Sequence, residues 1–329
     1  LGGTVKMGMR DIVSVRIPVD AVEQLSRSGC LRAFEFSLEE GVALNDSARY
    51  KSRIQLVQQG AAPLPMPYSG KGVIVGIIDA GSDFRHDDFR LPDGRTRVLK
   101  YWDQYCSSNS ALVPVEYGYR QVYDSTYINY IHGIDPDVDT FPVCQSPPTI
   151  DHQFGHGTTV MGAGARNGNA NGRYVGGATG ADLIVVGSKL SVPNWRNTIV
   201  DAVKFILDEA SALGRPCVIN CSLGAYLGSH DGMDAHALLI DSMLNAAPGR
   251  IMVQAAGNLG YVQMHVRQTI GADTTYTWFY DTNGTGIGAV GTQIWDCWAD
   301  SADIADVQYA VGADKVQPVL DFRGRTPFH

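Results

Sequence analysis

The stretch VIVGIIDAG, residues 73–81, decides the fold of this 329-residue chain. Its first six residues are apolar or glycine without polar alternation, which is typical of a strand buried on both faces of a parallel sheet. Asp79 ends the run, and Ala80-Gly81 then turn the chain away. Open α/β sheets bind their ligands just beyond the carboxyl ends of the strands. The stretch therefore predicts a central parallel strand with a carboxylate at the functional edge of the sheet.

Three later runs repeat the buried-strand pattern: DLIVV (182–186), CVINCS (217–222) and IMVQAA (251–256). Residues 91–150 are aromatic and turn-rich and lack clean periodicity. Apolar residues also recur at the spacing of helices packed on a sheet: first Ile199, Val203, Ile206, Ala210 and Leu213, then Ile240, Met243 and Ala247. Alternating strands and helices predict an α/β fold, with a parallel sheet and helices on both of its faces.

The flanking regions follow other patterns. Residues 1–45 predict a small α+β unit of strand, helix and strand, with LRAFEF (31–36) as the second strand. Residues 45–70 end in a Pro-rich tract typical of a linker or a surface arm. The core region is 46–260, and beyond it the pattern becomes all-β, so that 261–329 predict a separate β-rich domain.

Composition and charge exclude several classes of partner. The formal net charge is −8, and the 26 Lys and Arg residues are dispersed rather than gathered into a phosphate-neutralising patch. No apolar run reaches the roughly 18 to 20 residues that span a bilayer. The start, LGGTVKMGMRD, has neither an initiator Met nor a signal-peptide core, so we expect a trimmed N-terminus. We expect no nucleic-acid partner and no membrane span.

The six cysteines lack C-x-x-C spacing, which argues against a zinc site and against a dense disulfide scaffold. Cys217 and Cys221 lie in one predicted strand, where four residues span about 13 Å, well beyond the roughly 7 Å that a disulfide tolerates between Cα atoms. Cys106 and Cys144 share a turn-rich stretch and could pair. We predict no metal site and no cofactor.

His156 stands between two glycines in DHQFGHGTTVMGAGA, residues 151–165, at the predicted start of a small-residue helix. The positive end of a helix dipole disfavours imidazolium, which favours the neutral form that a general base needs. Two other interpretations compete: a structural histidine, and a zinc pair with His152. The zinc pair lacks the glutamate of H-E-x-x-H, and Gly155 interrupts its helix, which argues against a metal.

Asn258 follows another buried strand and a glycine in IMVQAAGNLG, residues 251–260. Its amide could donate to a developing oxyanion, although Asn-Leu-Gly could equally form a simple turn. Asp79 likewise has a second interpretation, as the cap of a βα turn or a ribose contact. A nucleotide-binding domain is disfavoured, because neither G-x-G-x-x-G nor a P-loop follows the first core strand.

Four blocks, in their order along the chain, resemble the motifs of the subtilisin-like serine proteases, the subtilases: IIDAG (77–81), GHGTTVMG (155–162), VINCSLG (218–224) and AAGN (255–258). The resemblance implies a subtilisin-like fold and a serine endopeptidase that works through an acyl-enzyme. It implies Asp79 as triad acid, His156 as base and Asn258 as oxyanion donor. It also implies that Ser222, Leu223 and Gly224 pair with the backbone of a peptide or protein substrate. Calcium is common in such proteins, but no compact acidic loop indicates it here.

The resemblance narrows to the spore-germination (Csp-like) protease branch, through TRVLKYWDQ (96–104), GSHDG (228–232) and the β-rich stretch after AAGN. In that branch a jelly-roll domain lies between the oxyanion Asn and the nucleophile, and 261–329 would be its beginning. The leading α+β unit resembles a subtilase propeptide, a folding chaperone and inhibitor expected to pack on the catalytic core. The resemblance also implies a bacterial protein that is secreted, periplasmic or in the cell envelope.

The family's nucleophile block, G-T-S-x-A, does not occur in the sequence, and no serine here has the same Gly-Thr context. We therefore expect a fragment without the nucleophile serine, inactive as it stands, from a protein that is an active protease when complete. The alternative is a pseudoprotease that serves as a binding or regulatory scaffold. The retained Asp, His and Asn favour the protease.

Overall fold

The computed structural model describes residues 4–9, 12–18, 20–29, 45–105, 113–131, 151, 155–193 and 195–260, seven single residues between 266 and 307, and the strands at 310–314 and 320–325. The chain forms two compact units, residues 1–44 and 45–329. In the first, β1 (Thr4–Met9) and β2 (Ile12–Arg16) pair antiparallel, and α1 (Ala21–Ser26) follows. The predicted strand at 31–36 lies outside the described residues.

The second unit contains these elements in chain order: α2 (Asn45–Lys51), α3 (Ile54–Gln59), β3 (Ile74–Asp79), β4 (Val98–Asp103), β5 (Gln121–Asp124), α4 (Ser125–Ile131), α5 (His156–Ala165), β6 (Asp182–Gly187), α6 (Trp195–Ala212), β7 (Cys217–Cys221), α7 (Ala235–Asn245), β8 (Arg250–Gln254), β9 (Ala310–Asp314) and β10 (Leu320–Arg325). Six strands form one sheet in the order β5-β4-β6-β3-β7-β8. All neighbours are parallel except β5, which runs antiparallel to β4 at one edge. The predicted α/β fold is confirmed.

β3 lies inside the sheet and is buried on both faces, as its apolar run predicts. Ile74 and Ile78 face the side covered by α6, and their cluster includes Ile206. Ile77 faces the other side, where it packs with Met161 of α5. Alternate residues of one strand thus enter two separate cores, which explains why the run shows no polar alternation.

Helix α6 packs unusually close to β3. A Cβ added to Gly76 of β3 would lie 2.7 Å from Cγ2 of Ile206, so the strand needs glycine there. The helix buries Ile199 and Ile206 as its spacing predicts. The predicted apolar spacing extends beyond the helix: Leu213 follows the last residue of α6 and is 49% exposed. Ala247 likewise lies beyond the end of α7.

The segment 45–70, predicted from its Pro-rich end as a linker or surface arm, begins with two helices that its sequence did not predict, α2 and α3. α3 ends where Gly60 adopts a left-handed φ of 66°, and the Pro-rich tract follows. Gln58 Nε2 donates to the carbonyl oxygens of Gly176 and Gly177 at 2.8 and 2.9 Å, which ties α3 to the core unit. The Pro-rich end of the segment is typical of a linker, and this signal obscures the two helices before it.

The irregular stretch 91–150 also contributes to the sheet, which its sequence did not predict. Trp102 of β4 packs with Phe205 of α6, while Tyr101 belongs to the core on the opposite face. The strand escaped detection because Lys100 and Asp103 interrupt its apolar pattern. Large aromatic side chains on alternate faces take the place of the usual Val and Ile.

Beyond residue 260 the described part is limited. β9 and β10 pair antiparallel, and the jelly-roll insertion stays a prediction. Cys217 and Cys221 are buried and unpaired, and Cys106 and Cys144 lie outside the described residues. Within the described ranges, no group of three or more His, Cys, Asp or Glu side chains could hold a metal ion. None of the described helices has the length and apolar composition needed to cross a bilayer.

A buried arginine joins several segments of the core. Arg97 is 2% exposed. Its guanidinium donates to four backbone carbonyl oxygens, those of Asp88, Ala165, Ala178 and Ala181, at 2.6 to 3.2 Å. The bond to Ala165 O, at 2.7 Å, reaches the last residue of α5. A planar guanidinium with five donors can satisfy several diverging carbonyls at once, which a lysine cannot do.

We predict that Arg97→Met lowers the free energy of unfolding by at least about 3 kcal/mol, because several buried carbonyls lose their donor. Urea unfolding followed by circular dichroism measures the change. Arg95→Met is the matched control, since Arg95 pairs with Asp93 on an exposed surface and should be replaceable without measurable loss. Equal stability of Arg97→Met and wild type would contradict the role assigned to the guanidinium.

Candidate active site

The carboxylate at the end of β3 meets the imidazole at the start of α5. Asp79 is fully buried, and its Oδ1 accepts a 2.8 Å bond from the backbone N–H of Ala80. The same oxygen lies 2.8 Å from Nδ1 of His156, whose side chain is 43% exposed. With a carboxylate on Nδ1, the proton sits there, and the lone pair on Nε2 faces away from Asp79. This is the tautomer that can take a proton from a third group.

Burial dominates the electrostatics of Asp79. It raises the pKa of the carboxyl above its ordinary value, and the hydrogen bonds from His156 and Ala80 oppose that rise. The nearby carboxylate of Asp151 raises the pKa further. Oδ2 is buried with no hydrogen-bond partner among the described residues. The ionised acid is thus held in the fold at a cost that its two hydrogen bonds offset only in part.

The helix bearing His156 touches the turn after β3. A Cβ on Gly157 would lie 1.8 Å from the carbonyl oxygen of Gly81, so no side chain can occupy this position. Gly155, just before the helix, has a left-handed φ of 85° and aims the chain into α5. The two glycines around His156 therefore serve one purpose, which is to bring the imidazole within hydrogen-bond distance of the acid.

A second carboxylate, missed at the level of sequence, holds the same junction. Asp151 Oδ2 accepts from the backbone N–H and the hydroxyl of Thr158 at 2.8 Å each, which caps the first turn of α5. Asp151 also bridges to Gly81 in an antiparallel β-bridge, and Thr158 Oγ1 accepts from Asp83 N at 2.8 Å. Asp151 precedes Thr158 by seven residues, outside any capping-box spacing, so the pattern alone could not reveal it.

The other predicted residues follow β7 and β8, on the same edge of the sheet as Asp79 because β3, β7 and β8 are parallel neighbours. The side chain of Leu223 is 8% exposed and packs in the core, whereas Gly224 is exposed with nothing within 4 Å of an added Cβ. Ser222 Oγ accepts from Asn220 Nδ2 at 3.0 Å. Asn258 is exposed, four residues beyond the end of β8.

A profile of the subtilase family matches residues 70–309, well over half of the chain. The chain belongs to the subtilase family. The subtilase resemblance drawn from the four motif blocks is thereby confirmed. The match spans the six-stranded sheet and the residues of the candidate site.

Among characterised relatives, the chain is similar to the PI-type proteinase of Lactococcus lactis subsp. cremoris and to the PII-type proteinase of Lacticaseibacillus paracasei. Each is 26% identical over 204 residues, a match that covers 59% of this chain and 10% of the relative. This subtilase thus spans about a tenth of the length of those two proteins.

Among solved structures, the chain resembles the Clostridium perfringens CspB protease with a TM-score of 0.50 and 25% identity, over 64% of this chain and 40% of that one. The likeness agrees with the Csp-like branch indicated by the sequence.

We predict that Gly157→Ala destabilises the fold by about 2 kcal/mol or more, because the new methyl group forces α5 away from Gly81. Gly164→Ala, in the same helix, is the matched control: its added Cβ would lie 3.9 Å from Ile77 Cδ1, an ordinary contact. We expect the control to be neutral or slightly stabilising, since alanine favours helix over glycine. Parallel urea titrations of both variants measure this difference, and equal effects would contradict the close approach.

We also predict that Asp79→Asn is more stable than wild type at pH 7 although it removes the acid. A carboxyl whose folded-state pKa is raised stabilises the fold fully at pH values below its unfolded pKa, and that contribution is lost as pH rises through the folded pKa. The advantage of the variant should therefore vanish near about pH 3, where the wild-type acid is protonated in both states. Thermal unfolding at the two pH values measures it, with exposed Asp241→Asn as control. A less stable Asp79→Asn at pH 7 would contradict the assigned cost of burial.

Proposed function

We propose that the complete protein is a serine endopeptidase that uses Asp79 and His156 as two members of a catalytic triad. The observation that carries the proposal is the 2.8 Å approach of His156 Nδ1 to the buried carboxylate of Asp79. An imidazole oriented by a buried acid, with its other nitrogen turned away and its ring partly exposed, is arranged to take a proton from a nucleophile.

In the proposed reaction, His156 Nε2 removes the proton of a serine hydroxyl while the serine oxygen bonds to the carbonyl carbon of a peptide. The side-chain amide of Asn258 donates to the resulting oxyanion. His156 then passes the proton to the leaving amine, the C–N bond breaks, and an acyl-enzyme remains. Water, deprotonated by His156, hydrolyses the acyl-enzyme and restores the serine. Asp79 keeps its carboxylate throughout and stabilises the imidazolium form.

The proposal assigns the nucleophile to a serine outside these 329 residues. The sequence has no G-T-S-x-A block, and the relatives that match it are much longer, since the chain covers 40% of the CspB protease and 10% of the two proteinases. By itself the chain is then an inactive portion of the catalytic domain. We further propose that the α+β unit acts as a propeptide and that the β-rich part is an insertion domain.

We propose a peptide or protein substrate that lies in an extended conformation along Ser222, Leu223 and Gly224. The inward side chain of Leu223 anchors this segment, and open space around Gly224 leaves its backbone accessible to an added strand. We also propose, as the family resemblance implies, that the protein acts outside the cytoplasm, whether secreted, periplasmic or in the cell envelope.

A fluorophosphonate probe tests the proposal, because it reacts only with an activated serine. We expect the full-length protein to be labelled and His156→Ala to lose labelling, with a fall in kcat on the order of 10⁴-fold or more. His236→Ala is the matched control, since His236 lies on α7 and bonds to Asn197 at 2.7 Å; it should label like wild type.

Absence of labelling in a folded full-length protein that contains the G-T-S-x-A serine would contradict the proposal and favour a pseudoprotease scaffold. Labelling that survives in His156→Ala would contradict the role of His156 as the base. Loss of labelling in both histidine variants would point to misfolding, which circular dichroism of the same samples reveals.

A further inference from the structure

Two segments at the carboxyl edge of the sheet are joined directly to each other. One follows β7 and contains Ser222 to Gly224; the other follows β8 and ends at Asn258. Ala255 N donates to the carbonyl oxygen of Cys221 at 3.1 Å, which continues the strand pairing past the end of β8. Gln254 Nε2 donates to the carbonyl oxygen of Leu223. The proposed substrate edge and the proposed oxyanion donor are therefore held at a set spacing.

Tyr226 makes the contact that reaches Asn258 itself. Its hydroxyl oxygen accepts a 2.9 Å hydrogen bond from the backbone N–H of Asn258. Its ring lies against the preceding residue, because a Cβ on Gly257 would be 2.9 Å from Tyr226 Cε1. Gly257 also has a φ of 96°, which favours glycine and turns the chain toward the hydroxyl. The ring contact at Gly257 and the hydrogen bond at Asn258 act on adjacent residues. Together they fix the position of the Asn258 backbone.

The loop that carries Tyr226 is also fixed to the core. Arg196 of α6 donates from Nη2 to the carbonyl oxygen of Leu227 at 2.6 Å, so the loop that carries Tyr226 is anchored to a core helix. Tyr226 is half-buried between this anchor and the β8 segment. A rigid aromatic side chain fixed at its base is a suitable acceptor for placing another residue's backbone, because few of its torsions are free.

We propose that Tyr226 is a positioning residue that sets the orientation of the Asn258 amide toward the oxyanion. The inference rests on the proposed function, since it needs Asn258 to act in the reaction. An oxyanion donor stabilises the transition state only if it is already aimed at the place where charge develops. Loss of the Tyr226 hydroxyl frees the Asn258 backbone and removes part of that stabilisation, with little effect on the binding of the ground-state substrate.

The test compares Tyr226→Phe with wild type in the full-length protein, using a tetrapeptide p-nitroanilide. We expect kcat to fall about tenfold, less than the roughly 10²- to 10³-fold loss expected for Asn258→Ala, with KM within about twofold of wild type. In an Asn258→Ala background, Tyr226→Phe should cause no further loss, because the donor it positions is gone. Tyr68→Phe, at an exposed tyrosine, is the control and should leave kcat unchanged.

An independent measurement follows the hydrogen bond itself. Amide hydrogen exchange of the peptide that contains Asn258 should be several-fold faster in Tyr226→Phe than in wild type or in Tyr68→Phe. Gly257→Ala provides a second variant, should Tyr226→Phe fail to fold, because its added Cβ would displace the Tyr226 ring. It too should lower kcat in a manner that depends on Asn258.

The outcomes separate the two proposals. A folded wild type that neither labels nor cleaves overturns the proposed function and this inference together. An active wild type in which Asn258→Ala is impaired but Tyr226→Phe is not overturns the inference alone. An effect of Tyr226→Phe that persists undiminished in the Asn258→Ala background, or that appears only in KM, also overturns it.

Discussion

The contact between Gly157 and Gly81 is the constraint on which the site depends. Backbone meets backbone there, with no room for a single methyl group, so the first turn of α5 lies directly on the turn that follows β3. A side chain at this position would push the start of α5, and His156 with it, away from the turn that follows Asp79. The approach of His156 to Asp79 is thus set by packing before any electrostatic interaction contributes.

Helix α5 is held at both ends to keep that contact. At its start, Asp151 accepts two bonds from Thr158 and bridges to Gly81. At its end, the buried guanidinium of Arg97 donates to Ala165 O at 2.7 Å. Asp151 lies seven residues before Thr158, whereas Arg97 lies 68 residues before Ala165. A helix fixed in this way presents His156 at one place, so the imidazole needs little reorganisation for the proton transfer proposed for it.

Stability and chemistry oppose each other at Asp79. The carboxylate is fully buried, one of its oxygens has no partner among the described residues, and its pKa is raised. Burial therefore opposes the charge that the proposed reaction requires of Asp79. Asn258 and Gly224, by contrast with Asp79, are exposed. Their spacing is fixed by hydrogen bonds between the segments that follow β7 and β8. Asp79 and His156 are thus placed by the core, and the proposed substrate edge and oxyanion donor by their mutual contacts.

Local patterns in the sequence predict the central strand, the helix that packs on it and the start of α5. Those features rest on local signals: an unbroken apolar run, a helical apolar spacing and a histidine between glycines. They also identify Asp79, His156 and Asn258, in that order along the chain, as candidate site residues. Helices α2 and α3 were missed because a Pro-rich tract follows them, and β4 because aromatic and charged residues hide its alternation.

How those residues meet depends on long-range packing. The bonds of Asp151 to Thr158, of Arg97 to four backbone carbonyls and of Tyr226 to Asn258 join positions whose spacing matches no local motif. A hydrogen bond between distant segments depends on where the sheet brings their ends, and strand order is set by the packing of the whole core. Local pattern therefore reveals which residues carry chemistry, while long-range packing decides which residues hold them in place.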